Sequence, residues 1–303
     1  MVAGGITKVI IPECSFTQRG FAMENLDVVA NGLRANVLRM LTRAKSGHPG
    51  GSLSCIDILC ALYFGGVLNY SAQNPKMQGR DRFILSKGHA APALYATLAH
   101  AGFFSESELE TLRQPESILQ GHPDCKLCPG VEVSTGSLGQ GLSISAGLAA
   151  GFKLAGTPEA VFCLLGDGEC QEGQVWEASM WAAHQKLDNL IAIVDRNRLQ
   201  IDGSTESVCA LGSVAAKFEA FGWQATKVDG HNINELVQVL KAAKQNRNGS
   251  PKVIVANTIK GKGVSFMEGE AGWHGKAPNP EQLEIALAEL ENAKAELKSK
   301  KGA

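Results

Sequence analysis

Three short apolar runs constrain this chain more than any other feature. Ala160–Leu165, Leu190–Asp195 and Lys252–Thr258 are too short for typical helices and are continuous rather than alternating. That is the pattern of parallel strands covered on both faces. Helical stretches lie between them at Gly173–Gln185, Gly212–Phe221 and Asn234–Gln245. The alternation predicts an α/β fold: a doubly wound, mainly parallel sheet flanked by helices. Ligands of such sheets sit beyond the carboxyl ends of the strands. Glycine, at 34 of 303 residues, clusters at element ends: Gly47–Gly51, Gly65–Gly66, Gly136–Gly141, Gly166–Gly168 and Gly261–Gly263. Some of these are plain helix C-caps, but the pattern suggests tight turns where a ligand approaches the backbone.

Upstream, helical spacing runs from Met23 to Ala44 and again over Ser52–Phe64 and Ala91–Ala101. Ser105–Arg113 adds a helix with Ser105 as N-cap. Residues 1–20 show no period and read as an N-terminal tail, residues 21–278 as one α/β domain, and residues 279–303 as a peripheral C-terminal helix, Glu281–Lys300. There is no internal repeat or long linker.

Composition removes several function classes. With 44% apolar and 19% charged residues the chain buries a core. Its net charge of −1 provides no field for nucleic acid or an anionic membrane. The apolar runs fall far short of the ~18 residues a membrane span needs, and no secretory signal opens the sequence, so a soluble cytoplasmic protein is expected. The eight cysteines have no disulfide-framework spacing, and most should be small buried hydrophobes. Cys125 and Cys128 form a CxxC, but zinc wants four ligands and no second pair follows.

The chemistry sits at two strand ends. Gly166-Asp167-Gly168-Glu169 closes the first run and Asp195-Arg196-Asn197-Arg198-Leu199 follows the second, so Asn197 comes thirty residues after Asp167. Adjacent parallel strands would bring both side chains to one sheet edge. Asp167, the Asn197 amide oxygen and a backbone carbonyl just beyond can offer three oxygens to a hard cation such as Mg²⁺, with a diphosphate and water completing the octahedron. One protein carboxylate is then enough, because the diphosphate brings its own charge. Either half alone is equally an ordinary turn, with Asp167 as a helix cap; the matched strand ends favour the metal-diphosphate site. Five of seven histidines, His48, His89, His122, His231 and His274, lie in glycine-bordered loops. A neutral imidazole there can donate and accept hydrogen bonds and move protons. His100 and His184 fall within helices, and His231 follows Asp229-Gly230 as a turn residue. Lys260 can complement phosphate charge.

Gly166-Asp167-Gly168 with Asn197 thirty residues on resembles the thiamine diphosphate-binding motif. The surrounding segments are similar to transketolase. They are Ser46-Gly47-His48-Pro49-Gly50-Gly51, Ser86-Lys87-Gly88-His89-Ala90, Gly121-His122-Pro123, Ser134-Thr135-Gly136-Ser137-Leu138-Gly139-Gln140-Gly141, Lys260-Gly261-Lys262-Gly263 and Trp273-His274-Gly275. They occur in family order across roughly Met23–Pro278. The resemblance implies a thiamine diphosphate-binding fold with Mg²⁺, replaceable by Ca²⁺ or Mn²⁺, on Asp167, Asn197 and the Leu199 carbonyl. It assigns His89, Gly168 and Lys260 to the cofactor, mainly its diphosphate. Gly136, Ser137 and Leu138 pass beside the cofactor, and His48, His122 and His274 hold sugar hydroxyls and shuttle protons, His274 also touching the cofactor. Glu172 resembles a buried glutamate at the subunit contact that links two cofactor sites. Glu169 stands where some members carry cysteine.

The chain ends at Ala303, without the pyrimidine-binding and C-terminal domains of a full-length transketolase. It therefore resembles the N-terminal subunit of a split enzyme, half an active site completed by a C-terminal subunit, as a heterotetramer with two sites. The implied activity is transfer of a two-carbon ketol unit between sugar phosphates, such as xylulose 5-phosphate to ribose 5-phosphate. A two-chain ketol transferase for an unusual sugar phosphate and a non-catalytic cofactor-binding module remain alternatives. The α-subunit of a lipoamide-linked decarboxylase fits less well, because Ser46–Gly51 and Gly121–Pro123 are transketolase-like.

Overall fold

The computed structural model describes residues 25–299, and the expected N-terminal tail and Cys14 lie outside them. The described strands are β1 (Arg82–Leu85), β2 (Val161–Gly166), β3 (Leu190–Arg196), β4 (Leu199–Gln200), β5 (Gly203–Ser204), β6 (Gln224–Asp229) and β7 (Lys252–Asn257). Five of them form one sheet in the order β1-β2-β3-β7-β6, every neighbouring pair parallel, while β4 and β5 make a small antiparallel hairpin. The three expected strands are β2, β3 and β7, at the centre of the sheet.

Their continuous apolar character follows from burial on both faces. Phe162, Leu164, Ile191, Ile193, Ile254 and Ala256 belong to one core. Val161, Cys163, Leu165, Ala192, Val194, Val253 and Val255 belong to the other. Over the first core lie α1 (Leu26–Ala44), α2 (Pro49–Ser54), α3 (Ile56–Phe64) and α4 (Ala91–His100). Over the second lie α5 (Gln140–Ala155) and α6 (Gly173–His184); α7 (Thr205–Val208) is a single short turn, and α8 (Val214–Ala220) packs on the second face too. α9 (Ile233–Gln245) returns to the first face, and α10 (Pro280–Ser299) buries Ala286 and Leu290 beside α1. The chain steps from β2 to β3 over one face and from β6 back to β7 over the other. Right-handed crossovers require that change of face when direction reverses. The doubly wound expectation holds.

Several local expectations change. Ser52–Phe64 is not one helix: Pro49 starts α2 and Cys55, outside helical geometry, separates it from α3. Ser105 does cap a helix, accepting from the Ser107 N–H, but the segment Glu106–Thr111 is 3₁₀. Of the cysteines read as buried hydrophobes, Cys55, Cys60, Cys163 and Cys170 are buried and Cys209 is exposed. Among the described residues no helix is long and apolar enough to cross a membrane.

Candidate functional site

Strand register builds the site. Gly166 pairs with Asp195, and Asp195 with Ala256. The residues just beyond, Asp167, Asn197 and Thr258, therefore leave the sheet side by side at its carboxyl edge. This is the point at which the winding reverses, where open α/β sheets bind ligands.

A buried ion pair supports that edge. Lys87, 1% exposed, reaches from the end of β1 to Asp195 at 2.5 Å and also donates to the Gly51 carbonyl at 2.7 Å. Ser54 donates to the same carboxylate at 2.6 Å, and Thr258 Oγ1 donates to its other oxygen. Burial opposes both charges, but each partner outweighs it: Asp195 is held below the usual carboxylate range and Lys87 above the usual amine. Asp195 also accepts from Asn197 Nδ2 at 3.3 Å. A carboxylate can face only the amide nitrogen, so the Asn197 Oδ1 is turned outward, where it accepts from the Leu199 N–H at 3.1 Å.

Asp167 is 1% exposed. Its Oδ1 accepts from the Gly168 N–H, and its Oδ2 from the Arg198 N–H at 2.5 Å and Arg196 Nη1 at 3.0 Å. Burial, then the Asp195 charge, raises its pKa, and the two arginine contacts counter this. Lys260 Nζ lies 3.4 Å from the Leu199 carbonyl. Asp167 is thus bonded to the Arg196–Arg198 segment and Asn197 Oδ1 to the Leu199 N–H, so that Asp167, Asn197 and the Leu199 carbonyl belong to two adjoining segments at one strand edge. A carboxylate, an amide oxygen and a carbonyl form an all-oxygen set suited to a hard divalent cation rather than zinc. No group of three or more His, Cys, Asp and Glu residues placed to hold a metal occurs among the described residues.

Three of the expected histidines meet. The ring centroids of His48, His89 and His274 lie 5.2 to 5.5 Å apart in a triangle. His274 Nδ1 is 2.9 Å from Lys260 Nζ; the ammonium donates, so the proton of His274 sits on Nε2. Burial first, then neighbouring cations, lowers all three: His48 to about 4, His274 to about 3, His89 well below its ordinary value. They are neutral imidazoles at physiological pH. His48 Nδ1 is buried without a hydrogen-bond partner, a polar atom facing the cluster without a protein mate.

His122 stands across from them beside the Gly136 turn. A Cβ on Gly136, at φ +154°, would meet the His122 ring at 3.1 Å, so this close approach needs glycine. A cleft of about 390 Å³ opens here, lined by His122, Thr135, Gly136, Ser137 and Gln140. Leu138 follows in the same turn. Gly168 packs on β4, where a Cβ would lie 2.9 Å from Gln200. Glu172, expected at a contact with a second chain, is exposed on this chain at the N-terminus of α6.

Four positions at the site have no role assigned to them in the sequence reading. Lys87 and Asp195 pair across two strands. Glu169 accepts from Ser86 Oγ and from the Gly139 and Gly166 N–H groups. Arg113 lies beside His48 and His122. Apart from the Gly166 N–H on Glu169 and the Asn197 amide on Asp195, the side-chain partners of these residues are remote in sequence. The available signal was a charged residue at a strand end or glycine turn.

His231 does not line the site. It receives the Ile259 N–H on Nε2 at 2.9 Å and therefore carries its proton on Nδ1, 2.7 Å from Asp57. The CxxC is split, Cys125 exposed beside Ser134 and Cys128 buried, with burial pushing the Cys128 thiol up to about 12.

The fold and the site define a class: an α/β domain with a polar cluster and glycine turns gathered at the carboxyl edge of a doubly wound parallel sheet. Comparison with known proteins narrows it. The model of the transketolase thiamine diphosphate binding domain matches residues 26–291, and the chain belongs to the transketolase family. It is 44% identical to a 6-deoxy-6-sulfo-D-fructose transketolase subunit of Clostridium sp. (strain MSTE9), covering 85% of this chain and 95% of that one. It is 42% identical to an apulose-4-phosphate transketolase subunit of Phocaeicola vulgatus, covering 88% and 94%. Human transketolase is 41% identical over 92% of this chain, which spans only 44% of that protein. Among solved structures, transketolase from Campylobacter jejuni superposes with a TM-score of 0.78 at 32% identity, over 91% of this chain and 48% of that one. Thiamine diphosphate is the cofactor of this domain family. The oxygen cluster, the glycine floor and the neutral imidazoles fit such a group.

Proposed function

We propose that this chain supplies the diphosphate-binding half of a transketolase active site. It moves a two-carbon ketol unit from a ketose phosphate to an aldose phosphate, and a separate C-terminal subunit supplies the pyrimidine-binding half. The observation that best supports this is the triangle of neutral histidines joined through Lys260 to the oxygen cluster. A non-catalytic binding module has no use for three half-buried neutral bases.

Thiamine diphosphate supplies the carbanion-stabilising thiazolium when bound. Asp167, Asn197 Oδ1 and the Leu199 carbonyl hold Mg²⁺, which Ca²⁺ or Mn²⁺ can replace. His89, Gly168 and Lys260 hold the diphosphate, and Gly136, Ser137 and Leu138 shape the cofactor's bed. His48, His122 and His274 donate N–H to sugar oxygens and accept hydroxyl protons. A ring held neutral does both, whereas an imidazolium only donates. Glu172 sits at the contact with a second chain, in a heterotetramer with two sites.

Relatives matched over 94–97% of their length are named as subunits, which supports the two-chain reading. Identity does not discriminate the sugar, being 44% to the sulfofructose subunit and 41% to human transketolase. The length match to subunits with unusual sugars favours a second reading, ketol transfer from an uncommon sugar phosphate. The test is ketol transfer from xylulose 5-phosphate to ribose 5-phosphate with Mg²⁺ and thiamine diphosphate. The purified chain is compared with the complex it captures in its own cells. Activity confined to the complex supports the shared site, and activity of the chain alone overturns it. Turnover of apulose 4-phosphate or 6-deoxy-6-sulfofructose but not xylulose 5-phosphate moves the assignment to the second reading.

A further inference from the structure

Arg113 stands between the two turns that carry His48 and His122. Its Nη1 donates to Ser46 Oγ at 3.2 Å, two residues before His48. On the other side its guanidinium lies against Gly121, the neighbour of His122. A Cβ on Gly121 would sit 3.0 Å from Cζ, 3.1 Å from Nη2 and 3.3 Å from Nε. Near-equal distances to three atoms of one plane describe face-on packing, for which glycine leaves the room. Gly47 closes a third side, a Cβ there falling 3.9 Å from Nε. Arg113 holds φ +61°, a left-handed backbone that a long side chain seldom adopts. Its own N–H is fixed to the Leu119 carbonyl at 2.9 Å, and its Nε is buried without a partner.

We propose that Arg113 is a positioning residue whose guanidinium clamps the Ser46–His48 turn to the Gly121–His122 turn and so sets the spacing of the two histidines across the sugar. Its charge acts on both rings as well. Burial is the larger cause holding His48 near 4, followed by Arg113, His122 and Lys260, and the rings of His89 and His274 also face it. Burial against the Gly136 turn, then Arg113, lowers His122. The sugar-facing role of the histidines rests on the function proposed above; the clamp does not.

Three variants separate the clamp from the charge. Arg113→Met removes both, Arg113→Lys keeps a point charge without the plane, and Gly121→Ala keeps the arginine while its Cβ shifts the guanidinium by a few tenths of an ångström. Imidazole titration by NMR on the chain should show the His48 and His122 midpoints rising by about half a unit or more in Arg113→Met. They should stay in place in Arg113→Lys and Gly121→Ala. In the reconstituted complex all three should raise KM for the ketose phosphate about tenfold, as misplacement of a binding group does, at unchanged thiamine diphosphate affinity. Unmoved midpoints in Arg113→Met, an unchanged KM in Gly121→Ala, or a KM rise that extra cofactor restores each overturn the proposal. Should Arg113→Met fail to fold, Gly121→Ala and Arg113→Lys still decide it through KM. Should the complex transfer no ketol from any sugar, the functional reading falls. The midpoints and the chemical shifts of the two turns in Gly121→Ala then decide the clamp alone.

Discussion

Glu169 shows how one side chain can hold the floor of a binding site. Its Oε1 accepts from Ser86 Oγ at 2.5 Å and the Gly139 N–H at 2.9 Å, and its Oε2 accepts from the Gly166 N–H at 2.9 Å. These partners end β1, end β2 and open α5, so a single carboxylate joins the three segments that bed the cofactor. Burial raises its pKa, while Ser86, the two amide donors and then Lys87 lower it. The Ser86 and Gly139 donors crowd one oxygen and Gly166 the other, so Glu169→Gln cannot satisfy all three. Its Oε1 can keep the first two, but its NH₂ then faces the Gly166 N–H, donor against donor. A buried donor without a partner costs about 1–3 kcal/mol. Urea unfolding should therefore show a lower midpoint at unchanged m. An unaltered midpoint would mean the three bonds contribute nothing and that another contact joins these segments.

At the scale of elements, the loop that follows β7 is held at both ends. Ile259 donates its N–H to His231, which hydrogen-bonds Asp57 on α3, and the Lys262 carbonyl accepts from Arg34 Nε on α1 at 3.1 Å. Arg34 and Asp57 meet at 2.5 Å and are almost wholly buried. Lys260 is carried between these anchors. Burial alone would raise Asp57, but the Arg34 charge and the bonds from His231 and Arg34 outweigh it and hold its carboxyl below the ordinary range. A depressed carboxylate contributes stability above its unfolded value, near 3.9, and loses it as pH falls through the folded value. The unfolding midpoint of the native chain should fall on acidification below about pH 4. In Asp57→Asn that part of the fall should vanish, with a loss of about 3 kcal/mol at pH 7 because Arg34 is left buried without a counter-charge. Equal acid limbs in the two proteins would refute the assignment. The same scale explains what the sequence made legible. β2, β3 and β7 were visible because both faces are covered, and Asp167 with Asn197 because adjacent strands turn a sequence interval into a spatial one. β1 has only four residues, and β6 is an edge strand with Val228 alone buried, so neither shows a continuous run. α5 was hidden by Gly141, Gly147 and Gly151, which weaken helical propensity. The Lys87–Asp195 pair, the Glu169 contacts with Ser86 and Gly139, and the Arg113 contact with Ser46 were illegible for another reason: these partners lie on segments that only the folded chain brings together.

At the scale of the molecule, α6 carries a face that this chain alone leaves uncovered. Glu177, Met180, Trp181 and His184 recur at helical spacing, and Met180 and Trp181 are 58% and 42% exposed. The opposite face of the same helix buries Val175, Ala178 and Ala182 in the second core, so exposing a large thioether and an indole is not needed for folding. Glu172, expected at a subunit contact, opens this helix and is exposed too. Its neighbour Gly139, where a Cβ would lie 2.9 Å from the Glu172 Cβ, belongs to the cofactor turn. One surface thus runs from the binding site along α6, which is where a subunit sharing the site would seat. Tryptophan at the centre of such a contact commonly contributes about 2 kcal/mol or more. Trp181→Glu should weaken association with the second subunit by about 30-fold or more, read by sedimentation of the mixed chains. Melting of the isolated chain should stay within about 0.5 kcal/mol of the native protein, as for surface changes generally. Hydrogen exchange should slow over α6 when the C-terminal chain is added and remain fast in the variant. Undiminished association would place the contact elsewhere on the molecule, and Glu172 would then be a solvent-facing helix start with no part in joining two sites.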